Sequence, residues 1–343
     1  MTRPLRVGVI GVGRIGAFHA ATLRALDGVG ALTVTDADAG RAAQVARDLD
    51  ADTAETPEAL AEAGVDALVI ATPTVGHAPM LRLAAAAGLP VFCEKPVALE
   101  LATLDDVIEH VERAGIFVQI GFQRRFDAGY RAAHDAVATG ALGNLLVLRA
   151  ATHDASPPTE AYIATSGGIF RDLHIHDFDA LHYVTGRQIV EVYADGAVRE
   201  TAWFDDHGDV DAAVAVLRLE GGALAIVSGT RHDPLGYDVR LEVFGAADSI
   251  AVGLDPQTPL RSVEPGILPD GTERYRTFLD RFEPAYRSEL AAFVEGVDGG
   301  GESLCTLRDA RAALLVALAA DRSRAERRPV SIEEVASAGA LAG

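Results

Sequence analysis

The sequence predicts an α/β doubly wound parallel sheet over residues 1–122. An α+β domain on an open-faced, mostly antiparallel sheet is expected over 123–343. Three observations carry this reading. The chain of 343 residues is longer than one ordinary hydrophobic core sustains. Up to about residue 122, short apolar runs alternate with helical patterns, the rhythm of right-handed βαβ units. Beyond it, alternating apolar and polar runs mostly follow one another without helices between, the rhythm of antiparallel pairing.

Taken in order, Leu5 to Ile10 is an apolar run of strand length, followed at once by Gly11-Val12-Gly13-Arg14-Ile15-Gly16 and a helical pattern to Leu26. The run "ALTVTDAD" ends a second strand at Asp36, and a helix is expected over about 38–49. "VDALVIATPT" gives a third strand, with a helix over about 77–87. "PVFCEK" and "IFVQIGF" give two more strands around a helix at about 101–114. A helix near 127–139 opens the second domain. Strands are then expected at about 144–153, 189–199, 210–220, 223–230, 237–244 and 249–253, with Gly221-Gly222 marking a tight hairpin. One helix over about 168–184 interrupts them, and helices at about 284–297 and 306–325 close the chain.

The formal charge of −20 disfavours nucleic acid and anionic membrane surfaces, which reward clustered positive charge. No run of about 18 apolar residues exists to span a bilayer. Residues 5–13 are apolar but short and run into the glycine motif, unlike a secretion signal. Two cysteines, Cys93 and Cys305, make no disulfide framework, and a reducing cytoplasm is the expected setting.

The glycine motif has the context that gives GxGxxG its meaning, strand before and helix after. Gly11 makes the tight turn, Gly13 lets the backbone approach a pyrophosphate, and Gly16 allows close packing of helix on strand. Asp36, twenty residues after Gly16, is placed to bind a ribose 2′-hydroxyl and to repel a 2′-phosphate; no arginine follows it immediately. NAD is therefore the expected cofactor, on a Rossmann domain. Thr72, Pro73 and His77 follow the third strand, where they are placed to line the nicotinamide; His77 reads equally as a helix-start residue facing water. With Arg14, Ile15 and Glu94 they complete the expected cofactor-binding set.

Of the 30 lysine and arginine residues, Lys95 alone is lysine. Codon bias accounts for the arginines but not for the exception. An ammonium is a compact charge whose proton can be tuned, and guanidinium is neither. Lys95 follows a strand end, where such folds bind ligands, and Pro96 after it is a candidate cis proline. In "SGGIFRDLHIHDFDALHYV" a continuous helix puts Asp172, His176, Asp179 and Tyr183 on one face, while Ile175, Phe178 and Leu181 pack elsewhere. A carboxylate one turn from an imidazole is a general-base arrangement. A divalent metal is the competing reading, and as a strand the segment would put His174 and His176 on one face. Acid–base chemistry is preferred, with no metal expected, because Lys95 beside a nicotinamide needs none. His174 and His182 are read as structural.

GVGRIG, EKP and GGIFRDLHIHDFD together resemble the glucose–fructose oxidoreductase/inositol dehydrogenase/rhizopine catabolism family over nearly the whole chain. "GFQRRFDAGY", "SGGIFRDLHIHDFDALHY" and "GYDVRLEVFG" look most like its inositol 2-dehydrogenases. The resemblance implies a catalytic group of Lys95, Asp172 and His176, and substrate contacts from Arg124, His153, Asp179 and Tyr237. It implies NAD-dependent oxidation of a ring CHOH of a cyclic polyol, inositol foremost, and a homotetramer through the second-domain sheet. A pyranose dehydrogenase or reductase and a sugar-sensing regulator are the alternatives on this fold. The loop "DASPPTEAYIATSGG" departs from the family pattern and puts the identity of the polyol in doubt.

Overall fold

The computed structural model describes residues 3–265, 273–299 and 301–340. The chain divides into two compact units: Met1–Phe126 with Pro284–Arg311, and Asp127–Glu283 with Ala312–Gly343.

The first unit runs β1 (Leu5–Ile10), α1 (Arg14–Arg24), β2 (Val29–Thr35), α2 (Ala39–Leu49), β3 (Asp52–Thr53), α3 (Pro57–Glu62), β4 (Ala67–Ile70), α4 (His77–Ala87), β5 (Val91–Glu94), α5 (Leu101–Ala114) and β6 (Val118–Gly121). The strands lie parallel in the order β3-β2-β1-β4-β5-β6. The order reverses between β1 and β4, which opens a crevice at their carboxyl ends. The central strands β1, β4 and β5 are buried almost throughout because both faces are covered, and Val7, Val9, Leu32, Val34, Val69 and Phe92 lie in one core with Leu23 of α1. Leu290, Phe293 and Val294, which the sequence placed with the second domain, join that core. Gln119 Nε2 donates to the carbonyl of Glu289 at 2.8 Å, and the Ile120 amide donates to the carbonyl of Cys305 at 2.9 Å. Cys93 and Cys305 are buried free thiols.

The short strand β3 and helix α3 were missed in the sequence. The helix had a readable start: Thr56 accepts from the Ala59 amide at 3.1 Å, and Pro57 sits at the first turn, where no amide is needed.

The second unit runs α6 (Ala128–Ala138), β7 (Leu145–His153), α7 (Glu160–Ser166), α8 (Ile169–Asp172), α9 (Ile175–Thr185), β8 (Ile189–Ala197), α10 (Trp203–Asp206), β9 (Ala212–Leu219), β10 (Leu224–Thr230), β11 (Asp238–Gly245) and β12 (Ser249–Val252). Helices α11 (Phe278–Gly299) and α12 (Leu307–Glu326), strand β13 (Val330–Ser331) and helix α13 (Ile332–Ala340) close the chain. Seven strands form one sheet in the order β12-β11-β7-β10-β9-β8-β13. Its pairs are antiparallel except β7 with β10, which run parallel. Gly221 and Gly222 make the expected β9–β10 hairpin with φ of 78° and 90°, a region open to glycine. Burial alternates along β9 and β10, so one sheet face is core and the other is open.

The expected single helix over 168–184 is broken into α8 and α9. At the break the His174 amide reaches back five residues to the Ile169 carbonyl at 2.9 Å, and the His176 amide points to Leu173 at 3.4 Å. The cause is His174. Its Nδ1 lies 2.8 Å from Oδ2 of Asp177, whose other oxygen accepts from Thr152 of β7 at 2.7 Å. The ring lies over Gly229 of β10, where an added Cβ would come within 2.4 Å of Cε1. Drawing this buried ring onto the sheet costs the helix one turn of regular bonding. Asp172 and His176 therefore lie on consecutive short segments, not on one continuous face. Helices α7, α10 and α13 also went unread in the sequence.

Candidate functional site

In the first unit the candidate residues gather at the carboxyl edge of β1, β4 and β5. Gly11 has φ 86°, and a Cβ there would come within 2.9 Å of the Ala71–Thr72 backbone. A Cβ on Gly16 would lie 2.0 Å from the Gly11 carbonyl oxygen, so helix and turn are in direct backbone contact. Gly13 is different: a Cβ there meets nothing within 4 Å. The space beside Gly13 is open in front of the first turn of α1, whose N-cap is Gly13 and which has no side-chain cap. Uncapped amides facing open space at a helix start are an anion site, and the residues fit a dinucleotide pyrophosphate. Arg14 and Ile15 begin that helix.

Asp36 follows β2 and does two jobs. Its Oδ2 accepts from the Val12 amide at 2.8 Å, which ties it to the glycine turn, and its Oδ1 accepts from the Asp38 amide at 2.9 Å. Arg41, which the sequence reading did not weigh, donates to Oδ1 at 3.2 Å. An arginine therefore does lie beside Asp36, in the first turn of α2.

His77 occupies neither of its expected settings. It is buried at the start of α4, with Nδ1 2.8 Å from the carbonyl oxygen of Pro96 and Nε2 2.8 Å from that of Thr72. Burial lowers its pKa, partly offset by those two carbonyls. Its nitrogens are spent on the backbone, so the expectation that it lines a nicotinamide or faces water is corrected. Thr72 and Pro73 stand at the end of β4, and Lys95 follows β5 in a cis Lys95–Pro96 bond. Glu94 turns inward: its Oε1 lies 2.6 Å from Nε2 of the buried His19. Arg124 is buried in the turn Gln123–Phe126 after β6.

In the second unit Asp172 is held on both oxygens. Oδ1 accepts from the Tyr162 hydroxyl at 2.7 Å, and Oδ2 accepts from Arg231 at 2.8 Å. Arg231 is itself buried and donates its other terminal nitrogen to Asp154 at 3.0 Å. The charge of Asp172, then burial, pushes the Tyr162 hydroxyl far above its ordinary range. A carboxylate gripped by a guanidinium and a hydroxyl is held in one orientation. His176 stands in the first turn of α9 and is half-buried, while Asp177, Phe178 and Asp179 after it are fully buried. His153 at the end of β7 pairs in register with Asp238, the residue after Tyr237. Burial lowers the His153 pKa against the pull of Asp238 and Asp233. His174 and His182 are structural, the latter with Nδ1 3.1 Å from the Arg187 carbonyl oxygen. Tyr183 stacks on His134 with ring centroids 4.8 Å apart.

Sequence reasoning missed Tyr162, Asp154, Arg231, His19 and Arg41. Arg41 was within reach, one turn beyond an acid already singled out. The others meet their partners only through the fold. Among the described residues no group of three or more His, Cys, Asp or Glu side chains is gathered as a metal site.

Residues 5–122 match a family model described as an oxidoreductase family with an NAD-binding Rossmann fold, and residues 130–251 match the GFO/IDH/MocA C-terminal domain. The chain is 38% identical over 335 residues to the myo-inositol 2-dehydrogenase of Thermotoga maritima, covering 96% of this chain and 99% of that one. It is 35% identical to the scyllo-inositol 2-dehydrogenase (NAD(+)) of Bacillus subtilis, covering 97% and 98%. The scyllo-inositol dehydrogenase of Lactobacillus casei, solved with bound cofactor NAD(H) and scyllo-inositol, superposes with a TM-score of 0.88 at 27% identity, covering 96% and 100%. This chain belongs to the GFO/IDH/MocA family of NAD-dependent oxidoreductases.

Proposed function

We propose that this member of the family is an inositol 2-dehydrogenase, oxidising one ring CHOH of a cyclic polyol to a ketone with NAD. The observation that carries the reading is end-to-end similarity to relatives named for that reaction, in a chain that carries the glycine cradle, Lys95, Asp172 and His176. NAD supplies the hydride acceptor and would be held by Gly11, Gly13, Arg14, Ile15, Gly16 and Asp36, with Thr72 and Pro73 toward the nicotinamide. His176 takes the proton of the reacting hydroxyl. Lys95 sets a compact charge against the oxygen as it becomes an alkoxide, an interaction that grows toward the transition state. Asp172, held by Arg231 and Tyr162, is assigned to orient the base and to favour its protonated form as a carboxylate. Arg124, His153, Asp179 and Tyr237 are assigned to the remaining hydroxyls. The setting is cytoplasmic, and the working form is a tetramer through the open sheet face of the second unit. No helix among the described residues is long and apolar enough to cross a membrane.

The test is initial-rate NADH formation with myo-, scyllo- and chiro-inositol, glucose and xylose. An inositol is expected to give the highest kcat/KM. Lys95→Arg is expected to lose about 10²-fold or more in kcat with NAD binding retained, since a guanidinium is bulkier and holds its proton too tightly. A pyranose with the highest kcat/KM overturns the substrate, and NAD reduction by none of the five overturns the enzymatic reading.

A further inference from the structure

Lys95 lies between two residues that are each gripped by a buried histidine. Before it, Glu94 is only 8% exposed, with Oε1 2.6 Å from Nε2 of His19 and Oε2 accepting the amide of Lys95 itself at 3.2 Å. His19 comes from α1, is fully buried, and packs edge-on against Phe92 and Tyr286. After Lys95, the Pro96 carbonyl oxygen lies 2.8 Å from Nδ1 of His77, and Nε2 of that ring lies 2.8 Å from the Thr72 carbonyl oxygen. An apolar side chain would fill either place without the cost of burying an imidazole. Both rings instead direct polar atoms at the residues flanking the lysine.

We propose that His19 and His77 are positioning residues for Lys95, bracing residues 94 and 96 so that the ammonium is presented in one place. This rests on the reading of Lys95 as catalytic. The brace also links the parts of the NAD domain. His19 ties β5 to the helix that follows the glycine motif, and His77 ties the turn after β5 to the end of β4. A displacement of about 1 Å at a reacting group costs on the order of 10²-fold in rate, so the brace acts on kcat.

The two histidines use different nitrogens, which gives a crossed test. The amide nitrogen of asparagine falls near the place of Nδ1 and that of glutamine near Nε2. The neutral His77 ring carries one N–H, and the brace requires it on Nδ1, donating to Pro96; His77→Asn keeps a donor at that place and His77→Gln loses it. His19→Gln keeps the donor to Glu94, and His19→Asn loses it. Steady-state kinetics with an inositol and fluorescence titration of NAD are expected to show near-wild-type kcat for His77→Asn and His19→Gln. The opposite pair should fall on the order of 10²-fold in kcat, with KM and NAD affinity little changed. Equal losses within each Asn/Gln pair, or losses in NAD affinity in place of kcat, overturn the proposal. Should a histidine variant fail to fold, Glu94→Met tests the same brace. It keeps the length of the side chain but offers no oxygen to His19 or to the Lys95 amide, so kcat should fall with NAD binding intact, and an unchanged kcat overturns the brace. Lys95→Ala separates the two levels. Full activity in that variant removes the catalytic reading of Lys95. An inactive Lys95→Ala beside four histidine variants of wild-type kcat removes the brace alone.

Discussion

Asp36 is the carboxylate on which cofactor choice is expected to rest, and its surroundings change the experiment that tests it. Its side chain accepts from Val12 and Asp38 and pairs with Arg41 at 3.2 Å. A 2′-phosphate placed there would meet a fixed negative charge, and like charges brought together cost several kcal/mol. Asp36→Ser removes that charge and leaves Arg41 to face the phosphate, so no second substitution is needed. The NAD-to-NADP ratio of kcat/KM is expected to fall by about 10²-fold, and an unchanged ratio would show that discrimination lies elsewhere. Residues of this kind were legible because their meaning lies in short spacing. The glycines, Asp36 and Lys95 are fixed by their distance from strand ends. Tyr162, Arg231 and His19 were not, because each works on a partner 10, 59 or 75 positions away. The error on His77 has the same origin: its helix start was read correctly, but the carbonyl of Pro96 that captures it lies 19 residues on.

At the scale of elements, the strands and most long helices could be read because a period of 2 or 3.6 is a local property. The break between α8 and α9 could not, because His174 answers to Thr152 and Gly229 on the sheet, through Asp177. The start of β1 offers a test of element anchoring. Asp66, just before β4, accepts from the Arg6 amide at 2.8 Å and from both terminal nitrogens of Arg3 at 3.0 and 2.6 Å. Burial raises its pKa, but the arginine partners outweigh it and bring the carboxyl down to about 2. The folded value is below the unfolded one, so this group stabilises the fold above about pH 4, and the contribution is lost as pH falls toward 2. Asp66→Asn is expected to lower unfolding free energy by about 1 kcal/mol near neutral pH, discounted for solvent screening of the exposed arginines. In urea titrations the gap from wild type should narrow as pH drops below about 4. A gap that stays constant with pH would assign the effect to hydrogen bonding alone.

At the scale of the whole molecule, the open face of the second-unit sheet calls for a partner. Strand register sets Tyr193, Val216, Ile226, Arg149 and Glu242 in one row across five strands. The neighbouring rows are Glu191, Arg218, Leu224, Val147, Phe244 and Asp195, Val214, Ser228, Ala151, Arg240. Val214, Val216, Ile226 and Tyr193 are each more than 40% exposed, so the apolar side chains form a continuous strip and not scattered points. The chain carries −20, and charge of that size resists self-association. This face escapes that penalty, because its arginines 149, 218 and 240 are matched by Glu191, Asp195 and Glu242 in the same rows. A near-neutral apolar strip on a strongly acidic protein fits a second copy of the same strip, the self-complementary contact of a twofold interface. Val216 lies between Tyr193 and Ile226 near the middle of it. Val216→Glu would put an unpaired charge at that centre while leaving the opposite, buried face of the strand intact. Light scattering coupled to size exclusion is expected to give a tetramer for the wild type and smaller species for Val216→Glu, with the melting of the separated subunit still cooperative. A wild-type protein that runs as a monomer at micromolar concentration, or a variant whose mass does not change, would remove this face as the interface.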